Sequence, residues 1–390
     1  MDNHWAQDIE ICLEYGDRRE QFGGAAVPPT FGNSLFVYES MDALTNAVLN
    51  EQGHYVYTRG TNPTIETAER KLAALERGEA CRCFSSGMAA IAAALLNSVE
   101  SGDHVLCVSN LYFSTMELLK YLGKFGISHS VCYETGAEAV KKQIKPNTRV
   151  IFMESPSYMT FRLTDPRAFS SLAKKHGIRT IIDNTWATPL FQKPLLYGVD
   201  IVVHSLSKYL GGHSDLVGGA VISKKELIDN LFTKELLLMG GNFSPYEATL
   251  LLRGMRSLPF RLETHQANAL KVAEFLESHP NVKKVLHPGL PSHPDYELGK
   301  SVLSGYSGVF AFAVHGGYRG ASHVLDHLRH IKIGVSWGSF ENLAMSPNTG
   351  SNEQQLISEN IDPGTIRLAV GLGDSGKIIA DLEQALDNAQ

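Results

Sequence analysis

The chain has 390 residues, room for about two to three domains and for a core that folds without disulfides or metals. Its 35 Lys and Arg stand against 41 Asp and Glu, a net charge of −6, so no basic surface for nucleic acid or an anionic membrane is expected. The longest apolar run, Met88–Leu96, has nine residues, far short of the roughly 20 that span a bilayer.

The opening Met1-Asp-Asn-His-Trp carries neither a basic nor an apolar segment, so no secretory leader is legible. Five cysteines (Cys12, Cys81, Cys83, Cys107 and Cys132) are an odd count, which suits buried, reduced thiols better than a disulfide framework. Cys81-Arg-Cys83 looks like half a zinc site, but no second Cys/His pair follows at ligand spacing, so no metal is expected. The expected compartment is the cytoplasm.

Residues 1–60 read as an arm, interrupted at Val27-Pro-Pro-Thr30, Gly32-Asn33 and Gly53. A helix opens at Asn62-Pro63, a capping residue followed by proline at the first helical position. Ile65, Ala68, Leu72 and Leu75 give it one apolar face, and Gly78 is expected to end it. Over 61–248, strands are predicted at His104–Val108, Ser128–Cys132, Val150–Met153, Arg179–Asp183, Ile201–His204 and Gly219–Ser223. Helical patterns lie between several of them, as at Ser114–Leu122 and Pro166–His176. Continuous apolar runs such as Ile201-Val202-Val203 suit strands buried on both faces, in a mostly parallel sheet with helices on either side. From 249 to 390 the texture changes. Leu270, Ala273 and Leu276 line a long helix ending at His279-Pro280. A strand follows at Val309–Val314, and Ile378, Ile379, Leu382 and Leu386 mark a last helix. This half reads as a smaller α/β domain.

The chemistry concentrates in two segments, Asp183-Asn-Thr-Trp-Ala-Thr-Pro189 and His204-Ser-Leu-Ser-Lys-Tyr-Leu-Gly-Gly-His213. Asp183 ends one predicted strand and Lys208 follows the next, so both can face the crevice outside the carboxyl ends of the sheet. A lysine amine there can form an imine with an aldehyde cofactor, while an aspartate keeps a pyridine nitrogen protonated. Pyridoxal phosphate (PLP) chemistry needs that pair. Either residue alone is ordinary. Ser85-Ser86-Gly87-Met88 precedes the alanine-rich helical run, whose N-terminus suits an anion, and Ser205 and Ser207 add hydroxyls beside the lysine.

These segments, together with Tyr57-Thr-Arg59-Gly-Thr-Asn-Pro-Thr64, Ser336-Trp-Gly338 and Ile366-Arg-Leu-Ala-Val-Gly371, resemble the Cys/Met-metabolism family of fold-type I PLP enzymes over nearly the whole chain. That family includes cystathionine β-lyase, cystathionine γ-synthase, cystathionine γ-lyase and methionine γ-lyase. The resemblance implies a large α/β/α PLP-binding domain, a smaller C-terminal α/β domain and an N-terminal arm. It implies that Lys208 binds the cofactor and shuttles the substrate α-proton, and that Asp183 pairs with the pyridine nitrogen. Gly87, Met88, Ser205 and Ser207 would hold the phosphate. Tyr57 and Arg59 would reach the phosphate in a neighbouring subunit. Tyr112 would stack on the ring and act on the leaving group or amine, and Arg367 would grip the substrate carboxylate near Ser336 and Trp337. A homo-oligomer, built as a dimer of dimers, and a small amino-acid thioether as substrate follow from the same resemblance.

Two departures bear on the reaction. Many γ-acting members carry Glu-Ser-Pro-x-Asn-Pro, where this chain has Glu154-Ser-Pro-Ser-Tyr158-Met159. They also tend to show Ser-Leu-Gly-Gly, where this chain has Ser336-Trp337-Gly338-Ser339. Both resemble the bacterial cystathionine β-lyase branch, so the expectation is α,β-elimination on cystathionine or related cysteine S-conjugates, giving a thiol, pyruvate and ammonia. A γ-acting member is the second reading, and a catalytically silent PLP-binding regulator the third.

Overall fold

A computed structural model describes residues 3–388. Its larger sheet has seven strands: β1 (Ala80–Phe84), β2 (His104–Val108), β3 (Ser128–Cys132), β4 (Thr148–Glu154), β5 (Arg179–Asp183), β6 (Ile201–Ser205) and β7 (Gly219–Ser223). Their order is β1-β7-β6-β5-β4-β2-β3, parallel throughout except for β7, which runs antiparallel to both neighbours. Each apolar strand feeds both faces. Val105, Phe152, Ile181 and Val203 meet the helices Gly87–Leu96 and Phe113–Leu122, whereas Leu106, Ile151, Ile182 and Val202 meet the helix Pro166–His176. This double coverage is why these strands lack polar alternation.

The expected strands are present, and β1 joins them at one edge. Its sequence, Ala-Cys-Arg-Cys-Phe, has no strand-like signature, because Arg82 is drawn inward by Glu69, whose carboxylate accepts its Nη1–H at 2.8 Å. The helix Pro63–Glu76 starts as expected, with Asn62 accepting the Thr64 N–H. It ends one residue before the predicted stop: Arg77, not Gly78, takes the left-handed conformation, at φ 60°. Glycine has no lock on that position, since the Arg77 guanidinium donates to the Ala74 carbonyl and to Asp8. The arm contains two helices its pattern does not announce, Asn3–Leu13 and Met41–Leu49. The first packs on the helices Pro63–Glu76 and Pro245–Ser278, with Trp5 stacked on Phe191.

The second sheet comprises β8 (Val282–Leu286), β9 (Val309–Val314), β10 (Lys332–Ile333), β11 (Leu343–Met345) and β12 (Thr365–Ala369), in the order β10-β11-β12-β9-β8. It buries Phe310, Phe312 and Leu368 against Val272 and Leu276 of the long helix and Leu382 and Leu386 of the last one. The boundary expected at 248 falls in the first turn of the helix Pro245–Ser278. No helix among the described residues is long and apolar enough to cross a membrane, and all five cysteines are buried and unpaired.

Candidate active site

Parallel pairing of β4, β5 and β6 brings Glu154, Asp183 and Ser205 to the same end of the sheet. There they border a pocket of about 230 Å³, closed from the other side by residues around β12 and the segment before β11. Lys208, just past β6, reaches in from the turn. Its neighbour Tyr209 is fixed at both ends: the carbonyl accepts from Arg261 at 2.8 Å and the hydroxyl accepts the Gly308 N–H at 2.7 Å. Lys208 Nζ donates to Ser336 Oγ at 2.9 Å and lies 5.5 Å from the centre of the Trp337 ring. Burial, with the positive Arg367 nearby, lowers its amine to about 8, while Asp183 pulls the other way.

Asp183 accepts the Thr185 N–H at 2.9 Å. Burial pushes its carboxyl up, and Thr185, His204 and Lys208 work against that push. The Thr185 hydroxyl also accepts the Ser205 N–H at 2.8 Å, which ties β5 to β6 at the pocket floor. Below them lies a buried network: His204 Nε2 sits 2.6 Å from Glu76 Oε1, which also accepts from the Asn184 amide at 2.8 Å.

Opposite the lysine, Ser86 caps the helix Gly87–Leu96 by accepting the Ala89 N–H at 3.0 Å. The amides of Gly87 and Met88, in the first turn, have no intrahelical acceptor, and both residues line the pocket that Ser205 and Ser207 also line. Two close approaches build this corner. A Cβ on Gly87 would stand 3.0 Å from Ser205 Cβ, and one on Gly219 would stand 2.2 Å from the Ser86 carbonyl oxygen.

Tyr112 precedes the helix Phe113–Leu122; its N–H donates to Glu154 Oε2 at 2.7 Å, and its ring meets Tyr158 edge-on, with centroids 5.8 Å apart. Arg367 on β12 is only 4 % exposed, so it is not the solvated strand residue that its alternating neighbours allow. Its Nη2 donates to the Val335 carbonyl at 2.6 Å and, more weakly, to that of Ser336 at 3.3 Å, leaving the rest of the guanidinium to the pocket. Trp337 packs on Tyr209, centroids 5.5 Å apart. Tyr57 and Arg59 are not brought to this pocket. They sit exposed on the arm, the guanidinium 5.7 Å from the Tyr57 ring. His213 has a structural bond to the Gly211 carbonyl, at 2.8 Å.

The profile described as "Cys/Met metabolism PLP-dependent enzyme" matches residues 11–387. The chain belongs to this PLP-dependent family. It is 39% identical to the L-methionine gamma-lyase of Treponema denticola over 93% of both chains. It is 38% identical to the cystathionine gamma-lyase of Bacillus subtilis, over 86% of this chain and 89% of that one. The crystal structure of metB from Corynebacterium glutamicum superposes with a TM-score of 0.92 at 31% identity, over 98% of each chain. The fold is accordingly that of the fold-type I PLP enzymes, and PLP is the cofactor. The pocket fits it: the first-turn residues of a helix and two serines that suit a phosphate, a carboxylate that suits a pyridine nitrogen and a lysine amine that suits an aldehyde all line it.

Residue patterns did not single out Thr185, Glu154 or the Glu76–His204 pair. Thr185, Glu154 and His204 all stand inside quoted segments, but their contacts exist only in the fold: strand register sets Glu154 beside Asp183, and the helix Pro63–Glu76 brings Glu76 to His204.

Proposed function

We propose that this chain cleaves the Cγ–S bond of a sulfur-containing L-amino acid such as methionine or cystathionine, releasing a thiol, ammonia and 2-oxobutyrate with consumption of one water. The observation that carries this is its likeness, along nearly the whole chain, to relatives named gamma-lyases. The sequence motifs alone favoured β-elimination, and the relatives outweigh them because Lys208, Asp183 and Arg367 serve either route equally.

PLP, when bound, supplies an aldehyde to take up the substrate amine and a ring that accepts the electron pair left at Cα. Arg367 would take the substrate carboxylate with the donors it does not spend on Val335 and Ser336. Asp183, as the anion, would hold the proton on the ring nitrogen. Lys208 Nζ would move the Cα proton, and for γ-elimination one from Cβ as well; an amine lowered to about 8 by burial exchanges protons readily near neutral pH. The Tyr112 hydroxyl would meet the departing sulfur. Trp337, pinned on Tyr209, would shield that centre from water. Gly87, Met88, Ser205 and Ser207 would hold the phosphate. Tyr57 and Arg59, exposed on their own subunit, would complete the phosphate site of a second copy, within a cytoplasmic dimer of dimers.

A second reading, β-elimination to pyruvate, is supported by Tyr158 and Trp337, which line the pocket at the two places where the sequence departs from γ-acting relatives. Product analysis separates them. With cystathionine the γ route gives cysteine and 2-oxobutyrate, and the β route gives homocysteine and pyruvate. Pyruvate as the sole keto acid, with methionine left intact, would overturn the γ assignment.

A further inference from the structure

Glu154 has no part in the chemistry above, yet it faces the pocket at a decisive place. Strands β4 and β5 run parallel, and their register pairs Glu154 with Asp183 at the last position of each strand. Both side chains line the same pocket, one strand spacing apart. Asp183, when ionised, opposes ionisation of the buried Glu154 on the neighbouring strand, so the two groups titrate as a coupled pair.

The surrounding groups decide which carboxylate keeps the charge. Asp183 accepts the Thr185 N–H, with the Thr185 hydroxyl against it and Lys208 and His204 nearby. Glu154 has one favourable contact, the Tyr112 N–H at 2.7 Å, and it faces Asp183 from β5 and Tyr158 from the following loop. That N–H lies at the start of the helix Phe113–Leu122, and a helix N-terminus favours an anion. Burial and a charged Asp183 together outweigh that one contact and push the Glu154 carboxyl well above its ordinary range.

We propose that Glu154 is a positioning residue that holds Tyr112 in place by accepting its backbone N–H, and that it does so as the uncharged member of a Glu154–Asp183 pair carrying a single proton. One negative charge then stays on Asp183, where it would serve a pyridine nitrogen, and none competes with it. This rests on the pocket being the lyase site proposed above.

The test uses the PLP-loaded enzyme and two variants, Glu154→Gln and Glu154→Ala. A carbonyl stretch of a protonated carboxyl, shifted in D2O, should appear at pH 7 in the wild-type minus Glu154→Gln infrared difference spectrum. Glu154→Gln should keep kcat within about threefold with an unchanged pH profile, because an amide oxygen still accepts the Tyr112 N–H. Glu154→Ala should lose up to about 10²-fold in kcat through a displaced Tyr112. Absence of the infrared band would overturn the proposal, as would a Glu154→Gln variant impaired like Glu154→Ala or shifted in its pH profile. If Glu154→Ala does not fold, the band and the glutamine variant still decide. A wild type that shows the band but no lyase turnover would sink the proposed function and leave the pairing intact.

Discussion

The corner proposed above to hold the phosphate depends on Gly219 having no side chain. A Cβ there would lie 2.2 Å from the Ser86 oxygen, 2.7 Å from its carbonyl carbon and 2.8 Å from Gly87 Cα. The first of these is about 1.2 Å inside ordinary contact, and all three are backbone atoms with no rotamer to escape into. Gly219→Ala therefore drives the Ser86–Gly87 turn away from β7, carrying its free amides away from Ser205, which pairs with Gly219 across the sheet. Overpacking of this kind costs about 1–3 kcal/mol. If that cost falls on the bound state, PLP affinity drops by roughly 5- to 150-fold at ~1.4 kcal/mol per tenfold. The assay is a titration of PLP into cofactor-free protein followed by visible absorbance, with circular dichroism to check the fold. Gly373→Ala is the control, since nothing lies within 4 Å of its Cβ position. A Gly219→Ala protein that binds PLP as tightly as wild type would refute the placement of the phosphate at this turn.

Glu76→Ala should destabilise the protein by about 1–3 kcal/mol in urea unfolding, because it leaves the buried His204 Nε2 without its partner, while Asn184 still donates to the Gln192 carbonyl; an unchanged stability would contradict the network. In cofactor-free protein, the Lys208 amine, lowered from 10.5 to about 8, binds its proton more weakly when folded. The unfolded chain thus holds more protons between pH 8 and 10.5, and Lys208 contributes stability that grows as pH rises through this window. Lys208→Met should flatten that part of the stability–pH curve relative to wild type, and parallel curves would refute it. With PLP bound, Lys208→Ala should leave no measurable keto-acid release. Arg367→Lys keeps the charge but loses the planar fork, so KM for methionine or cystathionine should rise about tenfold or more with kcat less affected; an unchanged KM would remove Arg367 from the carboxylate site.

Much of this molecule is legible in its sequence. The central strands β2, β4, β5 and β6 are legible because a sheet covered on both faces selects Val, Ile and Leu without alternation, whereas the edge strand β3, Ser-His-Ser-Val-Cys, is half-exposed; Lys208 and Asp183 stand out because a strand end places them at a crevice. What the chain could not announce were effects of contact between distant segments. The edge strand β1 carries an arginine that Glu69 and the Phe232 ring receive, and the arm helix Asn3–Leu13 gains its stability from the helices beneath it; Arg367 is marked by its motif, but its alternating neighbours alone would allow a solvated face, and only the packing of β12 buries it. Glu154 acquires its meaning from register alone: β4 and β5 set it beside Asp183, and two like charges at that separation are a problem no linear pattern encodes. Local chemistry and periodicity are properties of neighbours along the chain, whereas charge state and shape of a pocket are properties of neighbours in space.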